Sequence, residues 1–443
     1  MSSPFSAHPN ARVSRPRSVP KAALALSFLV AIHGALAAPQ PLTIGEAQQR
    51  AVARSRQLGA QDQAITAANE MAVAAGQRPD PVLKVGIDNL PVSGSDRLSL
   101  GSDFMTMRRI GVSQELTRAD KLHWRSAHYQ IEGDKALAQK DVALAAIQRN
   151  TAIAWLEVFY TEQMASAVSA HAAVSRQEIE AAEASYRGGR GSSADILAAR
   201  SALLALDDRV SEVQRRQRAA HNMLARWTGE DTLVAGAPNI ERIRLDPTSL
   251  DTDLAHHPEI AVLNKQEDIA QADVNLARAN QHTDWSVEVA FQQRGSAYSN
   301  MVSVGISVPL QWDRKNRQDR ELAAKLAVVE QTKAERDEML REHVAETRSL
   351  IIAWQSGRER IARYTHESLP LASERSRAVL AAYRGGKVTL ADVLATRRGE
   401  VELRLQALEV ELDTARLWAQ LNFLFPEGGA AQHSAANNHQ EAK

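Results

Sequence analysis

The chain has 443 residues, 44% of them hydrophobic and only 5% aromatic, so Ala, Leu and Val must make most of its contacts, a composition that favours helix over sheet. Its 53 basic residues balance 53 acidic ones, which provides no basic surface for a nucleic acid. The absence of cysteine excludes disulfides, thiolate metal sites, cysteine nucleophiles and a lipidated N-terminal cysteine.

At the N-terminus, Arg12, Arg15, Arg17 and Lys21 precede an apolar run from Ala22 to Ile32 and then Ala35-Leu36-Ala37, the pattern of an export signal with a small-x-small cleavage site. The run is shorter than the roughly 20 residues of a spanning helix, and His33 and Gly34 interrupt it. Residues 1–37 are therefore expected to be a cleaved signal peptide, with the mature chain beginning near Ala38. Loss of the four basic residues leaves 49 basic against 53 acidic side chains.

The rest of the sequence says the same thing twice. Tyr186 to Arg200 aligns without gaps to Tyr383 to Arg397, with the Tyr, Arg, both Gly, Ala, Asp, Leu, Ala and final Arg identical. Weaker echoes flank the pair in the same order: Ile110 to Leu116 with Val304 to Leu310, and Ser55 to Leu58 with His257 to Ile260, each of the latter opening an Ala-rich helix. Two tandem repeats follow, 38–240 and 241–427, with a disordered tail expected over 428–443. Each repeat predicts a helical stretch (Thr43 to Gln77; Thr248 to Gln281), two short strands, a long helix, a Gly-Gly turn and a returning helix (Ser192 to Trp227; Thr389 to Phe423). In the first repeat the long helix can run from about Ala119 to Tyr186 with no Pro and Gly133 as its one Gly, on the order of 100 Å at about 1.5 Å per residue. The shorter helices, stacked end to end, would make a second rod beside it. Gly229, Gly236, Pro238 and Pro247 predict irregular structure between the repeats.

Strict alternation predicts the strands, at about 82–90, 107–116, 285–293 and 301–310. Leu83, Val85 and Ile87 alternate with Lys84, Gly86 and Asp88, and Val302, Val304 and Ile306 with Ser303, Gly305 and Ser307. Such apolar-out, polar-in segments suit a membrane barrel, yet four strands are fewer than the roughly eight of the smallest closed barrel. Because open edges are not tolerated in lipid, the chain is expected to oligomerise, and three copies supply about twelve strands with room for a lumen. Half-buried strands packed on a soluble protein's helices remain the other reading of the alternation.

The turns carry two readings as well. Ser192-x-x-Asp195 and Thr389-x-x-Asp392 are capping boxes for the returning helices, and Gly188-Gly189 and Gly385-Gly386 supply the φ > 0 positions that end a helix. Two copies of Tyr-x-x-Gly followed by Asp-x-Leu, with Gln77 to Leu83 and Ser307 to Leu310 at the strand borders, also resemble the TolC outer-membrane efflux family over nearly the whole mature chain. That resemblance implies a mainly α protein with a membrane β-barrel portion: a homotrimer with a 12-stranded barrel in outer-membrane lipid above an α-helical tunnel in the periplasm. It implies that Asp392 lines a constriction, with Asp195 as the first hairpin's partner residue, hydrogen-bonded in relatives to a tyrosine at the position of Tyr383. Val388 and Ala395 stand where some relatives have an arginine and a second aspartate, so the gate is expected to be weaker or differently wired. It further implies that the tips meet a periplasmic adaptor through Arg187, Gly188, Gly189, Arg190, Arg384, Gly385, Gly386 and Lys387, and that an inner-membrane RND-type pump drives transport.

Asp88 to Pro91 with Asp103 to Met107 resembles the metal-exporting members, and Met105 and Met107 are soft thioethers that suit Cu(I) or Ag(I), although such a pair also serves as ordinary loop or packing residues. His256-His257 precede Pro258 at a helix start outside any HExxH or His-x3-His pattern, and read as ordinary polar residues. No convergent acid, base and nucleophile set emerges, so neither an enzyme nor a cofactor is expected. A periplasmic adaptor or a structural coiled coil of an export system is the alternative, and the paired hairpins and amphipathic strands count against both.

Overall fold

The computed structural model describes residues 42–189, 192–230 and 237–428. The expected signal peptide, Arg190 and the expected tail beyond Gly428 lie outside those residues. The element order is α1 (Ile44–Arg54), α2 (Arg56–Ala75), β1 (Val82–Asp88), β2 (Met107–Leu116), α3 (Ala119–Arg187) and α4 (Ser193–Thr228). The same itinerary then runs again through α5 (Leu250–Leu254), α6 (Pro258–Ala279), β3 (Trp285–Gln293), β4 (Met301–Ser307), α7 (Gln318–Arg363), α8 (Leu369–Arg384) and α9 (Leu390–Asn422).

The 69-residue α3 spans the predicted long helix, and α1, α2 and α4 all pack along it, with α1 also meeting α4. The expected helix over 43–77 is broken at Ser55, whose hydroxyl accepts from the Leu58 amide at 3.2 Å and so starts α2 afresh. Its counterpart over 248–281 is broken in the same place: α5 ends before His257, which caps α6. The second long helix is interrupted as well. Pro370 lacks an N–H and its ring would crowd the carbonyl four residues back, and the five residues Tyr364–Ser368 before α8 form a wider π turn, with Leu369 donating to the Tyr364 carbonyl. α7 and α9 meet closely at Gly357, where a Cβ would lie 2.3 Å from the Thr414 hydroxyl.

The largest core lies where both repeats converge: Trp155, Leu156 and Val158 of α3 pack with Leu224 of α4 and Leu408 and Leu412 of α9. Three buried or half-buried indoles tie non-helical backbone to this level, since a buried indole N–H needs an acceptor. Trp155 donates to the Leu42 carbonyl at 2.7 Å, Trp354 to Ile240 at 3.2 Å and Trp418 to Arg242 at 2.8 Å. The described part of the segment between repeats, 237–249, contains neither helix nor strand, and residues 231–236 lie outside the description.

The four strands form one antiparallel sheet in the order β1-β2-β3-β4, so the hairpin of the first repeat is joined to that of the second through β2 and β3. β1 and β4 stop at Asp88 and Ser307, two and three residues short of the expected ends. Val308-Pro309 follows β4, and a proline has no N–H to continue a ladder.

Candidate functional site: an open sheet and two hairpin tips

Register turns the alternation into two surfaces. Leu83, Val112, Val289 and Val304 lie side by side across the sheet, and each keeps 49 to 70% of its surface exposed. Val85, Ile110, Phe291 and Val302 make the neighbouring row. The opposite face carries a row of Lys84, Gly111, Ala290 and Ser303, and a charge network crosses it: Lys84 lies 2.5 Å from Glu288, while Arg109 lies 3.4 Å from both Glu288 and Asp88. One face therefore suits hydrocarbon and the other water, and within the chain β1 and β4 are the sheet's edge strands. Among the described residues no helix is long and apolar enough to cross a membrane.

At the far end of the rods each turn is built as its residues require. Gly188 and Gly385 stay at φ −81° and −85°, while Gly189 and Gly386 take φ +75° and +71° and let the chain reverse. The amide of Gly386 donates to the Tyr383 carbonyl and that of Lys387 to Ala382, each at 2.9 Å, satisfying carbonyls left by α8. Both capping boxes form. Asp195 accepts from the Ser192 amide at 3.4 Å and hydroxyl at 3.0 Å, and Asp392 from the Thr389 hydroxyl at 2.7 Å and amide at 2.9 Å. The Thr389 hydroxyl first and its amide second hold the exposed Asp392 carboxyl below the ordinary carboxylate range.

Between the tips, Ile179 and Ala182 of α3, Ala199 of α4 and Leu390, Val393 and Leu394 of α9 form an apolar plug, against which Tyr383 packs. Among the described residues Tyr383 makes no hydrogen bond to Asp195, whose carboxylate is engaged by Ser192 instead. The aligned arginines behave differently. Arg200 pairs with Glu183 at 2.7 Å inside its own hairpin, whereas Arg397 crosses from α9 to Glu178 of α3, also at 2.7 Å. The latter pair is half-buried, and burial pushes the Glu178 carboxyl up despite the opposing Arg397 charge. Neither Glu178 nor this pairing was readable from the sequence, because the partners lie far apart in it. Arg187 helps line a shallow groove of about 400 Å³ with Tyr186, Ser193, Leu197 and Arg200, and Arg384 and Lys387 are exposed at the second tip.

Met105 and Met107 fall at the other end of the molecule's first hairpin, Met105 in the loop with its amide on Asp103 at 2.7 Å, Met107 at the start of β2 opposite Asp88. His257 is not the ordinary polar residue expected from the sequence. It is buried at the start of α6, its Nδ1 accepting from the Glu259 amide at 3.3 Å, with the His343 ring 4.6 Å away. Burial first, and His343 next, drive its pKa down to about 4.

No family profile matches the chain. Among curated proteins it is 25% identical over 202 residues to the cobalt-zinc-cadmium resistance protein CzcC of Cupriavidus metallidurans, a match covering 44% of this chain and 47% of that one, so that it spans about half the length of this relative. Solved structures resemble it along most of its length. The CusC channel aligns with a TM-score of 0.73 at 14% identity over 88% of this chain and 93% of CusC. The outer-membrane channel OprN gives 0.72 at 16% identity over 88% and 90%, and the CmeC outer-membrane channel of Campylobacter jejuni 0.72 at 10% identity over 89% and 88%. The chain has the fold of these outer-membrane channels, in keeping with the resemblance read from its turns and strands, and its curated match is to a protein of heavy-metal resistance.

Proposed function

We propose that this chain is one third of a trimeric channel-tunnel, which conducts cargo passively from an inner-membrane RND-type pump and a periplasmic adaptor through outer-membrane lipid to the outside. The observation that carries the reading is the open sheet: four strands with a greasy face, a charged face and two edge strands cannot rest in lipid until neighbours supply the missing partners. Three chains would close about twelve strands, wide enough for a water-filled bore lined by Lys84, Arg109 and Glu288. The channel fold shared with CusC, OprN and CmeC supports the same reading.

In this proposal the tips are the closed end. Asp392 repeated by the threefold axis forms an acidic ring that attracts cations, and Asp195 and Tyr383 shape the hairpins beside it. Arg187, Gly188, Gly189, Arg190, Arg384, Gly385, Gly386 and Lys387 form the adaptor-facing surface. Docking would swing the hairpins apart while the rods stay intact. Heavy-metal cations are the cargo class favoured by the match to CzcC and by the thioethers of Met105 and Met107.

The test is fractionation followed by electrophysiology. Heat-modifiable trimers in the detergent-resistant outer membrane, giving cation-selective steps in planar bilayers, are the expected result. A monomer soluble in plain buffer would overturn the reading. Deleting the gene and challenging cells with Zn2+, Cd2+, Cu2+, dyes and antibiotics identifies the cargo, with sensitivity confined to metals expected.

A further inference from the structure

We infer that His257, Glu259 and His343 form a binding site for a divalent cation of borderline softness, such as Zn2+ or Co2+, an inference independent of the reading as a duct. One ligand atom from each side chain lies within 4.8 Å of the other two, and nitrogens and oxygens bound to one tetrahedral Zn2+ sit on the order of 3.3 Å apart. Binding would close that difference by moving Glu259 and His343, already 2.9 Å apart, toward the His257 ring. The fold gathers the set from two helices: His257 and Glu259 open α6, and His343 arrives from α7 with its Nε2 already 2.9 Å from the Glu259 carboxylate.

The two repeats supply an internal control on His257. Ser55 and His257 occupy aligned positions, and both cap a helix, Ser55 through the Leu58 amide at 3.2 Å and His257 through the Glu259 amide at 3.3 Å. A short hydroxyl does that work in the first repeat, and imidazole is not among the preferred capping groups. The histidine bond is also longer than the common N–H···acceptor distance of about 2.9–3.0 Å. Capping alone therefore does not account for an imidazole here, where a second imidazole and a carboxylate converge on it and the Leu424 backbone also meets its ring; a bound cation would take the place of one of the two backbone bonds of His257.

The surroundings suit a metal. His257 is 7% exposed, and its ring is held edge-on to Phe425 at 5.7 Å, which fixes its orientation. The His343 side chain keeps 14% and Glu259 46% of its surface, leaving access from solvent on the carboxylate side. Two imidazoles and one carboxylate are a three-ligand set with a fourth position for water, suited to Zn2+ or Co2+ and too poor in oxygen for Ca2+ or Mg2+. A cation there would clamp α6 to α7 near the end of α9.

Equilibrium dialysis of the detergent-purified full chain against ZnCl2, with metal read by mass spectrometry, tests this. One Zn2+ per chain with a micromolar or tighter Kd is expected, indifferent to millimolar Mg2+, and Co2+ in its place should show the intense visible bands of four-coordinate geometry. His257→Asn keeps a good cap while removing the ligand, so it should fold normally and weaken Zn2+ binding at least tenfold, as should His343→Ala. Absence of saturable binding, competition by Mg2+, or unchanged affinity in both variants would overturn the inference.

Discussion

Asp392 uses one carboxylate oxygen for both bonds to Thr389, so its capping and the gating proposed for it can be separated by choosing which partner to change. Thr389→Ala removes the cap and is expected to cost about 1 kcal/mol in thermal melts, leaving cation block of the channel unchanged. Asp392→Asn keeps an acceptor for Thr389 but abolishes the charge, and should weaken cation block in planar bilayers with little change in melting temperature. Because its pKa is depressed, the carboxylate's favourable contribution is present above the unfolded pKa and is lost only as pH falls through the lower folded value. Block should accordingly stay flat from pH 8 to about 5 and fade only below about pH 4. Glu178 has the opposite sign. Its folded pKa is raised, so its ionised form is unfavourable at neutral pH and the protonated form is preferred as pH falls. Glu178→Gln is expected to match or exceed wild-type stability at pH 7, with the gap closing as pH is lowered toward the carboxylate range. Arg397→Ala, which strands Glu178, should cost about 2 kcal/mol, less than for fully buried pairs because both side chains keep some exposure. Calorimetry of the wild type, Glu178→Gln and Arg397→Ala across pH decides both cases. The sequence made the capping boxes legible because three-residue spacing is local. It could not reveal the Arg397 and Glu178 pairing, or His343 beside His257, because those meetings depend on which helix lies next to which.

At the scale of elements, the strands and the long α3 were readable because period 2 and an unbroken run without Pro are properties of the chain itself. The breaks were harder. Ser55 lies in an Ala-rich stretch whose composition suits continuous helix; its echo of His257 marked a helix opening, and its bond to Leu58 shows that the stretch before it is a separate helix. Pro370 accompanies the wider turn in the second long helix, a distortion not anticipated from the sequence. The sheet gives a sharp prediction from adjacent residues of β4. Val304→Arg faces the apolar side and is expected to cost about 2–4 kcal/mol near a bilayer midplane, seen as loss of heat-modifiable trimers. Ser303→Arg faces the charged side and should leave trimers intact while shifting ion selectivity. Equal tolerance of both would mean that the two faces do not meet different solvents.

For the whole molecule, the expected closure requires β4 of one chain to pair with β1 of the next. The absence of native cysteine makes this directly measurable. Val85→Cys combined in turn with cysteine at Val302, Val304 or Ile306 should, on oxidation, give a ladder ending at a covalent trimer for one register. Only monomeric bands in all three would exclude edge-to-edge closure. The pairing of β2 with β3 has a further effect on how such an object is made. Leu116 meets Trp285 across that seam, so the earlier hairpin must wait for well over a hundred later residues to emerge before its partner exists. The seam thereby ties completion of the first hairpin to synthesis of the second repeat, so no four-stranded ribbon exists until both repeats have been made.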